Sequence, residues 1–146
     1  MKGNDNMELM EILTSAVEKK ASDIFLISGL AVSYKLNGII TKQDDELLLP
    51  AQTEKLVKEI YRIAGRDISR YEETGDDDFS ISVKGLSRFR ISAYKQRGSM
   101  AAVIRVVEFD IPDYKELNIL PEIITDTVAR TKGLVLVTGP AGGGKS

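Results

Sequence analysis

The 146-residue sequence contains no cysteine and no histidine. The first absence excludes disulfides and thiolate metal sites within the chain, and the second removes the side chain that ordinarily serves as a neutral-pH base or imidazole ligand. Chemistry must then use carboxylates, lysine, arginine, hydroxyls or a bound cofactor. Long apolar runs are also missing: none approaches the roughly 20 residues that span a bilayer, and the opening Met1-Lys2-Gly3-Asn4-Asp5 lacks the apolar core of a secretory signal. A cytoplasmic location is the expectation. Neither sign of charge dominates, with 20 Lys and Arg against 22 Asp and Glu and a net charge of -2, so no global field gathers a polyanion and nucleic acid is not an expected partner. Hydrophobic residues at 42% and charged residues at 29% exclude both a disordered chain and a coiled-coil rod. The length suits one compact domain with a short extension.

Apolar positions at Leu9, Ile12, Leu13, Ala16 and Val17 follow the spacing of one helical stripe, with Asp5 and Glu8 resembling a capping pair. Ile24 to Ile27 is a short run of β-formers, and Val32, Tyr34 and Leu36 alternate with polar residues up to Asn37-Gly38. Asn-Gly suits a type I′ turn, whose two central residues need positive φ, so Ile39-Ile40-Thr41 is expected to return as the partner strand. The polar Asp44-Asp45-Glu46 then leads to Pro50 and a second stripe made by Thr53, Leu56, Val57, Ile60, Tyr61 and Ala64, closed by Gly65. Residues 66–73 predict a short third helix, broken at Gly75. Alternation through Phe79, Ile81 and Val83, through Phe89, Ile91 and Ala93, and again over Ala101 to Val107 predicts antiparallel strands. Helices flanking a mostly antiparallel sheet make an α+β plan. Residues 108–118 carry Pro112 and little periodicity and read as a linker; Leu120 to Arg130 reads as helical, and Gly133-Leu-Val-Leu-Val-Thr138 as a buried strand.

That strand runs into Gly139-Pro140-Ala141-Gly142-Gly143-Gly144-Lys145-Ser146, which fits the phosphate-binding pattern G-x-x-x-x-G-K-[ST] in the strand context the pattern requires. Glycines let the backbone curl so that successive N–H groups point at phosphates, Lys145 supplies a compact positive charge for the β and γ groups, and the Ser146 hydroxyl suits a nucleotide-bound Mg²⁺. ATP and Mg²⁺ are therefore the expected cofactors. Ser146 is the last residue, so this sequence does not include the helix whose N-terminal dipole would face the phosphates, nor a Walker B carboxylate. By itself this polypeptide is expected to bind ATP weakly or not at all.

Ala21-Ser22-Asp23-Ile24-Phe25-Leu26 with Gly29, the Asn37-Gly38 turn, Asp78-Phe79-Ser80-Ile81, Arg88-Phe89-Arg90, Gln96-Arg97-Gly98, Ala102-Val103-Ile104-Arg105 and Gly133-Leu-Val-Leu-Val-Thr-Gly-Pro resemble, in order, the type IV pilus retraction ATPases of the type II/IV secretion ATPase superfamily. The resemblance implies a PAS-like N-terminal domain over residues 1–110, the linker at 108–118 and the start of a RecA-like ATPase domain at 119–146. It also implies a homo-hexameric ring with nucleotide between the two domains. The ring would act on pilin through an inner-membrane platform protein, at the cytoplasmic face of that membrane and without inserting into it. The pilus assembly and type II secretion ATPases of the same superfamily are the nearest alternative, and a fragment serving only as a protein-interaction module is another. Two departures stand out: Phe25 occupies a position where the family commonly has histidine, and Leu49 precedes Pro50 where a capping hydroxyl is usual.

Strand parity places Arg88, Arg90, Ser92 and Tyr94 opposite Phe89, Ile91 and Ala93, so two guanidiniums share one polar sheet face. Arg105 interrupts the run Val103-Ile104-Arg105-Val106-Val107, and a charge among β-branched residues must be paired, for instance with Asp78, or aimed at an interface. The resemblance implies that Arg90 and Arg105 reach the nucleotide, where an arginine neutralises charge on a transferring phosphoryl group. Asp76-Asp77-Asp78 lacks the interleaved spacing of a calcium loop and reads as a hydrated turn. Tyr61, Tyr71 and Tyr94, without a basic surround, are expected to pack in the core.

Overall fold

The computed structural model describes residues 9–107 and 119–139. The chain divides into two compact units, Met1–Phe109 and Asp110–Ser146. The first contains α1 (Leu9–Glu18), β1 (Asp23–Leu26), β2 (Ala31–Leu36), β3 (Ile39–Leu47), α2 (Pro50–Ala64), α3 (Ser69–Thr74), β4 (Asp76–Val83), β5 (Ser87–Gln96) and β6 (Ser99–Val107); the second contains α4 (Pro121–Ala129). The first unit is the expected α+β plan. Its six strands form one antiparallel sheet in the order β3-β2-β1-β6-β5-β4, so two local meanders join where β1 lies beside β6.

Local chemistry explains most of these elements. The stripe Leu9, Ile12, Leu13 and Ala16 is buried along α1, and the Tyr34 hydroxyl donates to the Ile12 carbonyl at 2.9 Å, tying that helix to β2. The expected capping pair Asp5 and Glu8 lies outside the described residues. Asn37 (φ 50°) and Gly38 (φ 84°) both take positive φ, which the tight β2–β3 turn requires. Thr53, Leu56, Val57, Ile60 and Tyr61 form the buried face of α2, which ends at Gly65 in the left-handed region. Leu49 offers no capping hydroxyl, but the Gln52 side chain reaches back to accept the Leu49 N–H at 2.7 Å, so half of a capping box remains.

Three expectations about the first unit need correction. β3 continues through Asp44-Asp45-Glu46 to Leu47, because an edge strand can take up such a run in a bulge: its register with β2 shifts between Lys42, opposite Ser33, and Leu47, opposite Ala31. α3 starts at Ser69 rather than Arg66, since the Asp67 carboxylate accepts both the N–H and the hydroxyl of Ser69, at 3.1 and 2.8 Å, and ends the preceding turn there. Asp76-Asp77-Asp78 is not a hydrated turn but the start of β4, where alternation turns Asp77 inward while Asp76 and Asp78 stay exposed. Asp77 accepts from Arg66 Nε at 2.8 Å and Nη2 at 2.9 Å and from the Tyr61 hydroxyl at 3.2 Å.

In the second unit α4 forms where helix was expected, but the expected strand after Gly133 does not: residues 131–139 hold no regular element. Leu134, Val135, Leu136 and Val137 are all exposed, the first to 82%. An apolar strand of this kind is stable only between parallel neighbours, and among the described residues it pairs with none. Among the described residues no helix is long and apolar enough to cross a membrane.

The core lies between one face of the sheet and α1 with α2, the latter crossing β6 and β4. Ladder partners Ile24, Ile104 and Ile91 form a fully buried row, flanked by Leu26, Ala102 and Ala93 on one side. Tyr61 and Tyr71 pack in this core as expected, whereas Tyr94 falls on the opposite face and is half-buried.

Asp77 is the buried charge this core must accommodate. Its hydrogen bonds from Arg66 hold the carboxyl below the usual range, against the opposing effect of burial, with Tyr61 and Arg70 adding to the lowering. The unfolded chain therefore binds more protons than the folded one in acid, so the contribution of Asp77 is complete above about pH 4 and is lost as pH falls toward the depressed folded value. Asp77→Asn should lower the free energy of urea unfolding by about 1–3 kcal/mol at pH 7, and the deficit should shrink as pH drops below about 4. An equal deficit at both ends of that range would contradict the assignment.

Candidate functional site

The sheet face turned away from α1 and α2 carries the polar site. Along one row of ladder partners lie Lys35 on β2, Asp23 on β1, Arg105 on β6, Arg90 on β5 and Ser80 on β4. The next row on the same face holds Ser33, Phe25, Val103, Ser92 and Asp78. Between the rows lies a shallow depression of about 140 Å³ lined by Asp23, Asp78, Arg90, Ser92, Val103 and Arg105. The structure thus brings together the two arginines singled out from the sequence, on adjacent strands and in direct register.

Their environments differ. Arg105 Nε donates to Asp23 Oδ1 at 3.0 Å, and its η nitrogens make no hydrogen bond among the described residues. The Arg105 side chain is 66% exposed while that of Asp23 is 8% exposed, so the carboxylate is the fixed partner and the guanidinium the projecting one. The other oxygen of Asp23 accepts the Ser22 hydroxyl at 2.9 Å. Arg105 is therefore paired as its setting among β-branched residues demanded, but with Asp23 rather than the expected Asp78. Arg90 is exposed and forms no ion pair among the described residues. Asp23 was missed because its contact with Arg105 spans 82 positions of sequence, and no local pattern encodes which strand lies beside β1. The available signal was parity alone, which sets Asp23 on the same side of its strand as Phe25.

The depression thus holds two guanidiniums, the carboxylates of Asp23 and Asp78 and the Ser92 hydroxyl, and with Asp23 already engaged by Arg105 the exposed guanidinium donors can receive an anion. A phosphate or polyphosphate fits the donor set, because arginine presents its N–H groups in a planar fork that matches phosphate oxygens. Phe25 stands on this face as the ladder partner of Val103 but does not line the depression. Among the described residues no cluster of three or more acidic side chains could hold a metal ion. Of the phosphate-loop residues, Pro140, Ala141, Gly142, Gly143, Gly144, Lys145 and Ser146 lie outside the described residues; Gly139 is described and exposed.

A six-stranded antiparallel sheet with helices on one face and arginines on the other, followed in sequence by a phosphate-loop pattern, is the arrangement to set beside known proteins. The chain belongs to the type II/IV secretion system protein family, whose model matches residues 5–146. It is 36% identical over 140 residues to the type IV pilus ATPase PilU of Pseudomonas aeruginosa, covering 96% of this chain and 36% of that protein. To the type IV pilus retractation ATPase PilT of the same organism it is 32% identical, covering 96% of this chain and 40% of that protein. The crystal structure of the pilus retraction motor PilT with bound ADP superposes with a TM-score of 0.74 at 38% identity, over 96% of this chain and 40% of that one. The chain thus spans well under half the length of these relatives.

Like charges in direct register across a ladder destabilise a sheet. Arg90→Thr should therefore raise the thermal midpoint of the folded unit, whereas Arg105→Ala should lower it by leaving the buried Asp23 carboxylate without its cation. Thermal melts followed by circular dichroism would check both; a fall with Arg90→Thr would show that Arg90 is held by a stabilising contact instead.

Proposed function

We propose that this chain is the N-terminal part of an ATP-driven, hexameric motor of the type IV pilus, acting in pilus retraction. In this reading residues 1–110 form the domain that presents the arginine face, 108–118 the linker, and 119–146 the beginning of the ATPase domain. The observation that carries it is the direct opposition of Arg90 and Arg105 on an exposed sheet face, where Asp23 pairs with Arg105 and Arg90 forms no ion pair among the described residues. The identity to two pilus ATPases and the ADP in the related motor favour a nucleotide as that anion.

Each part of the chain has a task. Gly139, Pro140, Ala141, Gly142, Gly143 and Gly144 would wrap the phosphates with backbone N–H groups, Lys145 would neutralise the β and γ groups, and Ser146 would hold Mg²⁺. Bound MgATP supplies the phosphoryl group and the metal charge that spans it. Arg90 and Arg105 would contact the nucleotide in the assembled ring and counter its negative charge. The ring would work at the cytoplasmic face of the inner membrane through a platform protein and the pilin machinery.

Arg105→Ala in the full-length ATPase that carries this chain should reduce ATP turnover at least about 100-fold, in keeping with the weight of arginines in phosphoryl transfer, while the N-terminal unit remains folded. Steady-state phosphate release with circular dichroism on the same preparation checks this, and unchanged turnover would remove the arginine face from the mechanism.

A further inference from the structure

Ala21-Ser22-Asp23 belongs to the sequence pattern of the chain, yet the proposed function gives it no task. Asp23 sits on the arginine face in the row between Lys35 and Arg105. Both its oxygens are occupied, one by the Ser22 hydroxyl and the other by Arg105 Nε. Ser22 is in turn fixed through its backbone: its N–H donates to the Lys35 carbonyl at 2.9 Å and its carbonyl accepts from Val106 at 3.0 Å. The carboxylate is thus held by the sheet and by a neighbouring hydroxyl, and it is nearly buried while the arginine it grips is mostly exposed.

We infer that Asp23, oriented by Ser22, is the positioning residue for Arg105. The inference rests on the reading of Arg105 as a nucleotide-contacting side chain. A guanidinium has five N–H donors in a rigid fork. Asp23 takes the Nε donor, and the η nitrogens of this mostly exposed side chain make no hydrogen bond among the described residues, which leaves them available to an anion. Without that grip, an exposed arginine samples many rotamers, and ordering it at the phosphate consumes side-chain entropy. The pairing also neutralises one of the two opposed arginines, which allows Arg105 and Arg90 to stand in register at the rim of one depression. Ser22 acts one step further out and should matter less.

The test is a double-mutant cycle in the full-length ATPase. Asp23→Asn should lower kcat by roughly 10- to 100-fold, the usual scale for misplacing an otherwise intact catalytic group, with a much smaller change in KM for ATP. Added to Arg105→Ala, the same change should cost less than about twofold more, because there is no longer an arginine to position. Arg105→Lys supplies a second variant that keeps a cation beside Asp23 but has no fork to present; it should melt near the parent temperature and lose turnover to nearly the extent of Arg105→Ala. Parent-like turnover of Asp23→Asn beside an inactive Arg105→Ala would overturn the positioning role and leave the nucleotide reading standing. Independent, multiplying effects of the two changes would overturn it as well, as would an active Arg105→Lys. If Arg105→Ala itself turned over normally, the nucleotide reading would fall and this inference with it.

Discussion

Everything on the first unit depends on the ladder between β1, β6 and β5. Its register places Ile24, Ile104 and Ile91 side by side beneath the helices, and one residue away it places Asp23, Arg105 and Arg90 side by side in the opposite direction. Because side chains alternate with a period of two, a slip by one residue in β5 or β6 would drive a guanidinium into the core, and one in β1 a carboxylate, with an isoleucine turned into water each time. Core packing and site assembly are therefore one constraint. The apolar row that excludes water also fixes the rotation at which the arginines emerge, on the face that α1 and α2 do not cover.

Two aspartates show how the same side chain acquires opposite tasks from its parity. Asp77 points inward, where Arg66 from the end of α2 and the Tyr61 hydroxyl satisfy it, and the pair fastens the α2–α3 junction to an edge strand. Asp23 points outward, and the arginine it holds projects into solvent. In the first case a flexible cation completes a buried acid and the product is rigidity. In the second, a fixed acid restrains a flexible cation, and the product is orientation. A buried carboxylate with both oxygens satisfied is costly to desolvate but hard to displace, which suits either role.

The helices, the Asn37-Gly38 turn and the alternation of β5 were legible in the sequence because each is written locally, in a stripe, a dipeptide or a parity. Boundaries that depend on side chains meeting across the fold were not. The start of α3 was set by Asp67, and the acidic run at 76–78 became a strand because Arg66 neutralises its middle member. For the site, parity was enough to put Arg88 and Arg90 on one face, but not to pair Arg105 with Asp23, since the sheet order that joins them is decided by packing of distant segments. Leu134 to Val137 shows the converse limit: a run composed as a buried strand stays irregular when no neighbouring strand is present among the described residues to complete its ladder.

Among the described residues, Arg90 opposite Arg105 sets like charges in direct register across a central ladder of the first unit. Elsewhere charges are spaced, paired or sent to an edge strand: Lys58 with Glu54 and Arg62 with Glu59 on α2, the acids of β3 at the rim. A central pair of strands could have carried threonine or serine at either position at no cost to the core, as β4 does with Ser80 and Ser82 beside the same ladder. Local consistency is what gives a sequence a single fold, and departures from it concentrate where a surface does something besides folding. Asp23 forms an ion pair with only one member of the pair, while Arg90 shares the depression with Asp78 and is ion-paired to no acid among the described residues. The opposed arginines are thus a departure that points to a task besides folding, independent of any likeness to other proteins.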